Sequence, residues 1–365
     1  METKKLIDCC EFISDGDHLP PPKSDSGVPF ITISNITGQN KLSFEDTMFV
    51  PESYYNGLNE NKKAKKDDIL YSVVGSFGKP VYVDFDKQMV FQRHIAILRP
   101  KRNVNARFIY YTMLNPQFYK LVDKLAIGCS QRTVTLDTLR NIEVNLPDKD
   151  IQDKMVGILS LIDEKIDINN NVNDNLSAMA YDIYMHNFFS KKPNAKLKDI
   201  LTESEKSAIQ VGEAKTSNGE YPFFTSGATI LKWKEPFVDG RNCFLNTGGN
   251  ADVKFYVGKA AYSTDTWSIS AKSEMSDYLY LMLFSIKPEL DQKFFQGTGL
   301  KHLQKPLLKD RPIYVPEKLE LEAFNRQVIP MFDIISENTR ENQQLTSLRD
   351  WLLPMLMNGQ ATISD

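Results

Sequence analysis

The 365-residue chain has only four cysteines, Cys9, Cys10, Cys129 and Cys243. They are too few and too unevenly spaced for a disulfide scaffold or a zinc site. Its four histidines, His18, His94, His186 and His302, each lack a second ligand at metal-binding spacing, so no metal site is expected. No apolar run approaches the ~18–20 residues of a membrane span, and the opening METKKLIDCCEF is not a signal peptide. The expected setting is a reduced cytoplasm, away from membranes.

A dominant charge is missing too, with 44 Lys+Arg against 47 Asp+Glu and a formal net charge of −3. The balance is uneven along the chain. Residues 1–147 carry +2 and 191–316 carry +4, whereas 148–190 carry −5 and 317–365 carry −4. A surface for nucleic acid, if the chain has one, belongs to the two mildly basic segments.

Proline is absent from Ile151 to Phe189, and glycine is absent after Gly157. Apolar residues recur there in alternating steps of four and three: Ile151, Met155, Ile158, Ile162, then Val172, Leu176, Met179 and Ile183. This is the pattern of a heptad seam with polar Lys165 and Asn169 in its middle. A helix of that length is roughly 55–60 Å long. Residues Leu319 to Met357 supply a partner, because a constant shift of 169 superimposes the seams. Met155 falls on Phe324, Ile162 on Met331, Asn169 on Asn338, Leu176 on Leu345 and Ile183 on Leu352. The approaches match as well: Gly128 with Gly297, Arg132 with Lys301, Leu139 with Leu308, Arg140 with Lys309, Pro147 with Pro316. The chain therefore reads as a tandem duplication of a globular segment followed by a long helix.

The globular segments share a grammar. VPFITISNI and YPFFTSG read as strands carrying Pro-Phe-x-Thr, and a glycine turn between strands appears as Gly75–Gly78 and again at Gly248 and Gly249. Each half then has a helix broken by proline, at Pro116 and Pro288. Catalytic signatures are missing. Asn115-Pro116-Gln117-Phe118 looks like an adenine methyltransferase motif, yet it sits inside a helical pattern with no glycine-rich cofactor loop before it. The acidic pairs Asp84/Asp86 and Asp148/Asp150 lack a lysine at nuclease spacing.

These features resemble the specificity (S) subunit of type I restriction–modification systems. The resemblance rests on IEVNLPDKDIQDKMVGILSLIDEKIDINN, on YMHNFF at the end of the first long helix, and above all on LTSLRDWLLPMLMNGQATI. KLIDCCEFISDG and YPFFTSG look like the openings of that family's two recognition domains. One departure is the Pro-Glu-Gln usual after the turn proline: Gln152 can fill its place in the first copy, but the second reads Glu322-Ala323-Phe324.

The resemblance implies a duplicated α/β (α+β) fold, in which two globular target-recognition domains are separated by two long antiparallel α-helices forming a coiled coil. The expected segments are 1–147 and 191–316 for the recognition domains and 148–190 and 317–365 for the helices. Each domain would read one half of a split, asymmetric target in double-stranded DNA. Two methyltransferase subunits would dock on the chain and supply S-adenosylmethionine. A restriction (motor-nuclease) subunit would join for cleavage, with ATP and Mg on the partners. This chain itself would be non-catalytic and bind no cofactor. The alternative is a non-catalytic coiled-coil adaptor whose repeated domains bind protein or another ligand.

Phosphates are met by Lys, Arg, Ser, Thr and glycine amides, and base edges by Arg, Gln, Asn and Lys. The candidate DNA-binding residues are therefore Gly75, Ser76, Phe77, Gly78, Lys79, Arg93, His94, Ser130, Gln131, Arg132 and Thr133 in the first half. In the second they are Thr225, Ser226, Thr247, Gly248, Gly249, Asn250, Lys301 and His302. Asn169 and Asn338, at matching seam positions, are expected to lie within reach of each other or of a shared water and to fix the helix register, because a slipped amide would face an apolar neighbour unpaired.

Overall fold

The computed structural model describes residues 2–129 and 131–360. It divides into two compact units, one of residues 1–164 with 345–365 and one of residues 165–344. The division falls inside both long helices, so each helix is shared between units.

In the first unit a four-stranded antiparallel sheet has the order Cys10–Asp15, Ile95–Pro100, Ile69–Ser72, Pro80–Tyr82. The second unit repeats that order with Leu201–Glu203, Thr266–Ala271, Arg241–Asn246 and Val253–Val257. The Pro-Phe strands also correspond. Val28–Ile31 lies between antiparallel Met48–Val50 and parallel Val90–Phe91, and Tyr221–Phe224 lies between Leu231–Trp233 and Ala261–Tyr262 in the same senses. Each unit opens on a strand that pairs with the segment just before a long helix: Glu2–Lys5 with Glu143–Leu146, and Ala195–Lys196 with Pro312–Ile313. The duplication read from the long helices therefore extends through the sheets.

The broken helices form as the sequence suggests. Ala106–Leu114 ends at Asn115, whose side chain accepts from the Gln117 amide at 3.0 Å and starts Pro116–Leu125. The methyltransferase-like tetrapeptide is thus a helix cap with a buried asparagine and a proline in the first turn, where the missing N–H costs nothing.

The long helices run Lys149–Tyr184 and Lys318–Met357. Within the first unit Met155, Val156 and Leu159 share a core with Leu353, Leu356 and Met357, and Asp163 meets Arg349. Within the second unit Asn169 meets Asn342, Asn173 meets Asn338, and Tyr184 and Phe188 share a core with Phe324 and Val328. In each unit a higher number on one helix meets a lower number on the other, so the packing is antiparallel.

The seam differs from the expected one in half of its positions. Met155 and Ile162 are buried and Leu176 and Ile183 are partly buried, as expected. Ile151, Ile158, Val172 and Met179 are instead exposed, and the inward column between them is Leu159, Ile166, Asn173 and Ala180. The helix has turned by one residue because it also packs on its own globular unit. Ile109 and Phe108, for example, lie in the same core as Met155 and Leu159. A strict coiled-coil face serves one partner, whereas a wider apolar stripe serves two.

The departure at residue 152 is also resolved. Gln152 is buried, donates to the Pro147 carbonyl at 2.7 Å and accepts from the Asn105 amide at 2.9 Å, tying the helix start to the cap of Ala106–Leu114. In the second unit Leu321 occupies the equivalent place as a buried apolar residue.

Asn169 and Asn338 do not bond each other. Asn169, 3% exposed, donates to Asn342 at 2.9 Å and to Glu341 at 2.7 Å, and Asn338 donates to Asn173 at 2.8 Å. The shift of 169 carries Asn169 onto Asn338 and Asn173 onto Asn342, so the two asparagine bonds are copies of one another. The reason for the changed partner is directional. In an antiparallel pair the column order reverses, and a residue of one column faces the other column of its partner rather than its own equivalent. Asn169→Leu would leave the Asn342 side-chain oxygen without its donor, while Glu341 keeps Lys165 at 3.1 Å and the Asn342 side-chain nitrogen keeps Asn170. It is expected to cost about 1 kcal/mol, because a partly buried polar group left without its partner carries part of its desolvation penalty. Asn169→Leu with Asn342→Leu is expected to recover most of that loss. Thermal unfolding followed by circular dichroism measures both; a stabilised single variant would remove the asparagine pairing from the account.

Candidate nucleic-acid interface

Three loop segments of the first unit are brought together at one end of its four-stranded sheet. The Val73 amide donates to the His94 carbonyl at 2.9 Å, the Gly75 amide to Arg132 at 3.0 Å, and Val134 to Val73 at 2.8 Å. The turn Gly75–Lys79, the pair Arg93–His94 and the loop Gln131–Thr133 therefore form one continuous surface. Ser130 lies outside the described residues.

The second unit builds the same arrangement. The Gly249 amide donates to Lys301 at 2.9 Å and Leu303 to Thr247 at 3.0 Å, copying the Gly75–Arg132 and Val134–Val73 bonds. Both loops depend on a glycine where the chain reverses. Gly128 has φ +98° and Gly297 φ +149°, and a Cβ there would come within 2.6 Å of the Gln131 carbonyl oxygen or 2.7 Å of that of Leu300. No L-residue with a side chain fits without moving backbone.

The basic residue of each loop has a carboxylate partner on the preceding helical segment. Arg132 bonds Asp123, and Lys301 meets Asp291 at 2.9 Å. Asp291 also accepts from the Ala251 amide at 3.2 Å, so it fastens the glycine turn as well. The bond from Lys301, reinforced by that amide, lowers the Asp291 pKa. Both ion pairs are between a third and a half exposed, where such a pair contributes only ~0–1 kcal/mol. The carboxylates orient the cations without tying them up, and an anionic ligand can compete for them.

The candidates divide by exposure. Gly75, Ser76, Lys79, Arg93, Gln131, Asn250 and His302 are exposed, with Arg132, Thr133, Thr247, Gly248, Gly249 and Lys301 partly so. Phe77 is buried, stacked on Tyr119 at 5.9 Å and capped by the Arg132 guanidinium at 5.6 Å. Thr225 is buried as well, and its hydroxyl accepts from the Gly227 amide at 3.0 Å. These two shape the loops rather than presenting a surface. Partial burial, with the neighbouring Arg93 charge, holds His94 below the usual imidazole pKa.

Sequence comparison between the halves missed one part of the second surface. A cleft of about 540 Å³ beside Thr247 and His302 is also lined by Asp265, Trp267 and Lys305. The Asp265 carbonyl accepts from Ser226 at 2.8 Å and from the Thr247 amide at 3.0 Å, which joins Ser226 to the site. Lys305 lies over the Trp267 ring at 4.7 Å, and burial lowers its pKa. The repeat carries no sign of this, because the positions equivalent to Trp267 and Lys305 in the first half are apolar. A lysine beside a tryptophan in the fold is visible only once strand and loop are placed together.

No group of three or more His, Cys, Asp or Glu residues gathers as a metal site among the described residues, and no described helix is long and apolar enough to cross a membrane. The fold and its loops define a tandem repeat of one mixed helix-and-strand unit, each copy presenting a glycine turn and a basic loop from the same end of its sheet. The model of the type I restriction modification DNA specificity domain matches residues 1–178 and 191–346, and the chain belongs to that family.

Among its relatives, the specificity subunit of the type I restriction enzyme HindI of Haemophilus influenzae is 22% identical over 402 residues, covering 82% of this chain and 87% of the relative. The MjaIX specificity subunit of Methanocaldococcus jannaschii is 19% identical over 309 residues, covering 73% and 71%. The crystal structure of the type I restriction-modification S subunit from M. genitalium aligns with a TM-score of 0.61 at 15% identity, over 100% of this chain and 96% of that one. It shares the fold.

Proposed function

We propose that this chain is the DNA-reading subunit of a type I restriction–modification complex, with each unit reading one part of a bipartite, asymmetric duplex target. The observation that carries the reading is the paired loop surface. The same backbone bonds close it in both units, while the side chains it presents differ: Arg93, His94 and Arg132 in one, Asn250, Lys301 and His302 in the other. A shared scaffold with divergent loops suits two different half-sites, because strands carry the fold and loops carry specificity. Arg132 and Lys301 meet phosphates, and the exposed Gln131, Arg93 and Asn250 are placed for base edges. The chain performs no chemistry. Methyltransferase subunits dock on it and bring S-adenosylmethionine, and a motor-nuclease subunit brings ATP and Mg.

Electrophoretic mobility of a random-sequence duplex pool, with the chain alone and with a methyltransferase subunit, tests this across a salt series. Binding is expected to weaken steeply with salt. Arg132→Glu and Lys301→Glu are each expected to weaken it about tenfold, uniformly across sequences, and to lower the salt slope by roughly one or two. Salt-independent binding, or none in either condition, would turn the reading to an adaptor for protein ligands.

A further inference from the structure

The first unit has a second charged concavity, remote from the loops just described. It is a cleft of about 610 Å³ whose rim carries Lys66, Lys101 and Arg102. Those three side chains are exposed and make no ion pair or hydrogen bond among the described residues. Of the three carboxylates that line the cleft, Asp68 accepts from Arg99 at 2.7 and 2.9 Å, Asp67 accepts from the Tyr82 hydroxyl, and Glu11 is exposed. The lining holds seven Lys or Arg against three Asp or Glu, so the field at the rim is positive.

The sheet register locates the cleft. Strand Ile95–Pro100 starts beside Ser72 and His94 at the loop end and finishes beside Cys10, where Arg99, Lys101 and Arg102 lie. At ~3.3 Å per residue the two places are roughly 20 Å apart. The second unit lacks the feature. Its segment after the corresponding strand reads Lys272-Ser273-Glu274, and Lys272 donates to the Asp199 carbonyl at 3.2 Å. The basic run Lys62–Lys66 has no counterpart before Arg241, where the chain reads Pro236-Phe237-Val238-Asp239-Gly240.

We propose that this cleft binds an acidic, partly apolar peptide segment of a partner protein, and that it marks the first unit as the one such a segment engages. Charge complementarity selects the sign of the ligand. The floor selects its kind: Val104, Ala106 and Val156 line it, which suits the apolar side chains of a peptide and gives phosphates nothing to bond. A broad duplex does not enter a concavity of this size. The proposal goes beyond DNA reading and does not depend on it.

The test uses the full chain, a fluorescein-labelled peptide of Glu-Glu-Leu repeats, and a labelled random duplex, each followed by fluorescence anisotropy. The variant is K66E/K101E/R102E, whose exposed positions leave the fold intact, as circular dichroism checks. The wild type is expected to bind the peptide in a salt-sensitive manner. The variant is expected to bind it at least tenfold more weakly, with duplex binding within twofold of wild type. Failure of the wild type to bind the peptide overturns the proposal, as does equal binding by the variant. Loss of duplex binding with peptide binding retained would assign the cleft to phosphates instead. Failure of duplex binding in both proteins bears on the DNA-reading proposal alone.

Discussion

Exchanging residues 197–316 for the corresponding segment of a relative with a different target is expected to change one half of the recognised DNA sequence. The other half and the spacing between them should stay as they were. The expectation follows from the separate construction of each loop surface. All the backbone bonds that close the second surface, Gly249–Lys301 and Leu303–Thr247 among them, lie inside the exchanged segment. Those that close the first, Gly75–Arg132 and Val73–His94, lie outside it. The segment joins the rest through the short pairing of Ala195–Lys196 with Pro312–Ile313 and through the core that Tyr278, Leu279 and Tyr280 share with Phe188, Phe324 and Phe332, so the donor relative is one that keeps those apolar contacts. Each mismatched base pair costs ~1–3 kcal/mol in complexes of this kind, so a lost half-site is a change of several orders of magnitude in relative affinity. Selection from a random duplex library, with both proteins carrying the same methyltransferase subunit, reads the outcome base by base. If both halves of the target changed together, the modular account would be wrong.

Arg349→Ala is expected to lower the unfolding free energy by roughly 2–4 kcal/mol. The Arg349 side chain is only 8% exposed, and it bonds Asp163 at 3.0 Å and Asp350 at 2.8 Å. Asp163 also accepts from the Tyr111 hydroxyl at 2.8 Å. Removing one partner of a buried ion pair costs ~3–5 kcal/mol because the other charge stays desolvated; the quarter of Asp163 still open to water reduces that here. The second unit shows a different solution at the equivalent places. There Phe332 replaces Asp163, Ala180 replaces Arg349, and Phe332 packs on Tyr280 with ring centroids 5.3 Å apart. Asp163→Phe with Arg349→Ala would copy that arrangement into the first unit, and is expected to regain more than half of the loss, since well-packed apolar replacements of buried ion pairs are often neutral or stabilising. Urea unfolding measures both variants. A single variant within about 0.5 kcal/mol of wild type, or a double variant no better than the single, would count against the charged network as a structural tie.

Much of this organisation is written along the chain. A repeat of spacing is a one-dimensional property, so the shift of 169, the glycine pair Gly128 and Gly297, the basic pair Arg132 and Lys301, and the capping prolines could be found by comparing the chain with itself. These positions recur because each closes a local turn or ends a local element, and local geometry is dictated by nearby residues. Family membership follows from the same features. The apolar columns of the long helices could be read to within one residue.

The rest was decided by contacts between residues far apart in number. Periodicity says that a helix has an apolar face, but the neighbours that cover it set its rotation. That is why Leu159 and Ala180 turn inward and Ile158 and Met179 do not. Chain direction, not seam position, gave Asn169 its partner Asn342. Asp123 and Asp291 became anchors only when a helix brought them beside the loops. The cleft at Lys66, Lys101 and Arg102 arises because sheet register places two separate basic stretches side by side, an arrangement to which neither stretch alone contributes any visible pattern.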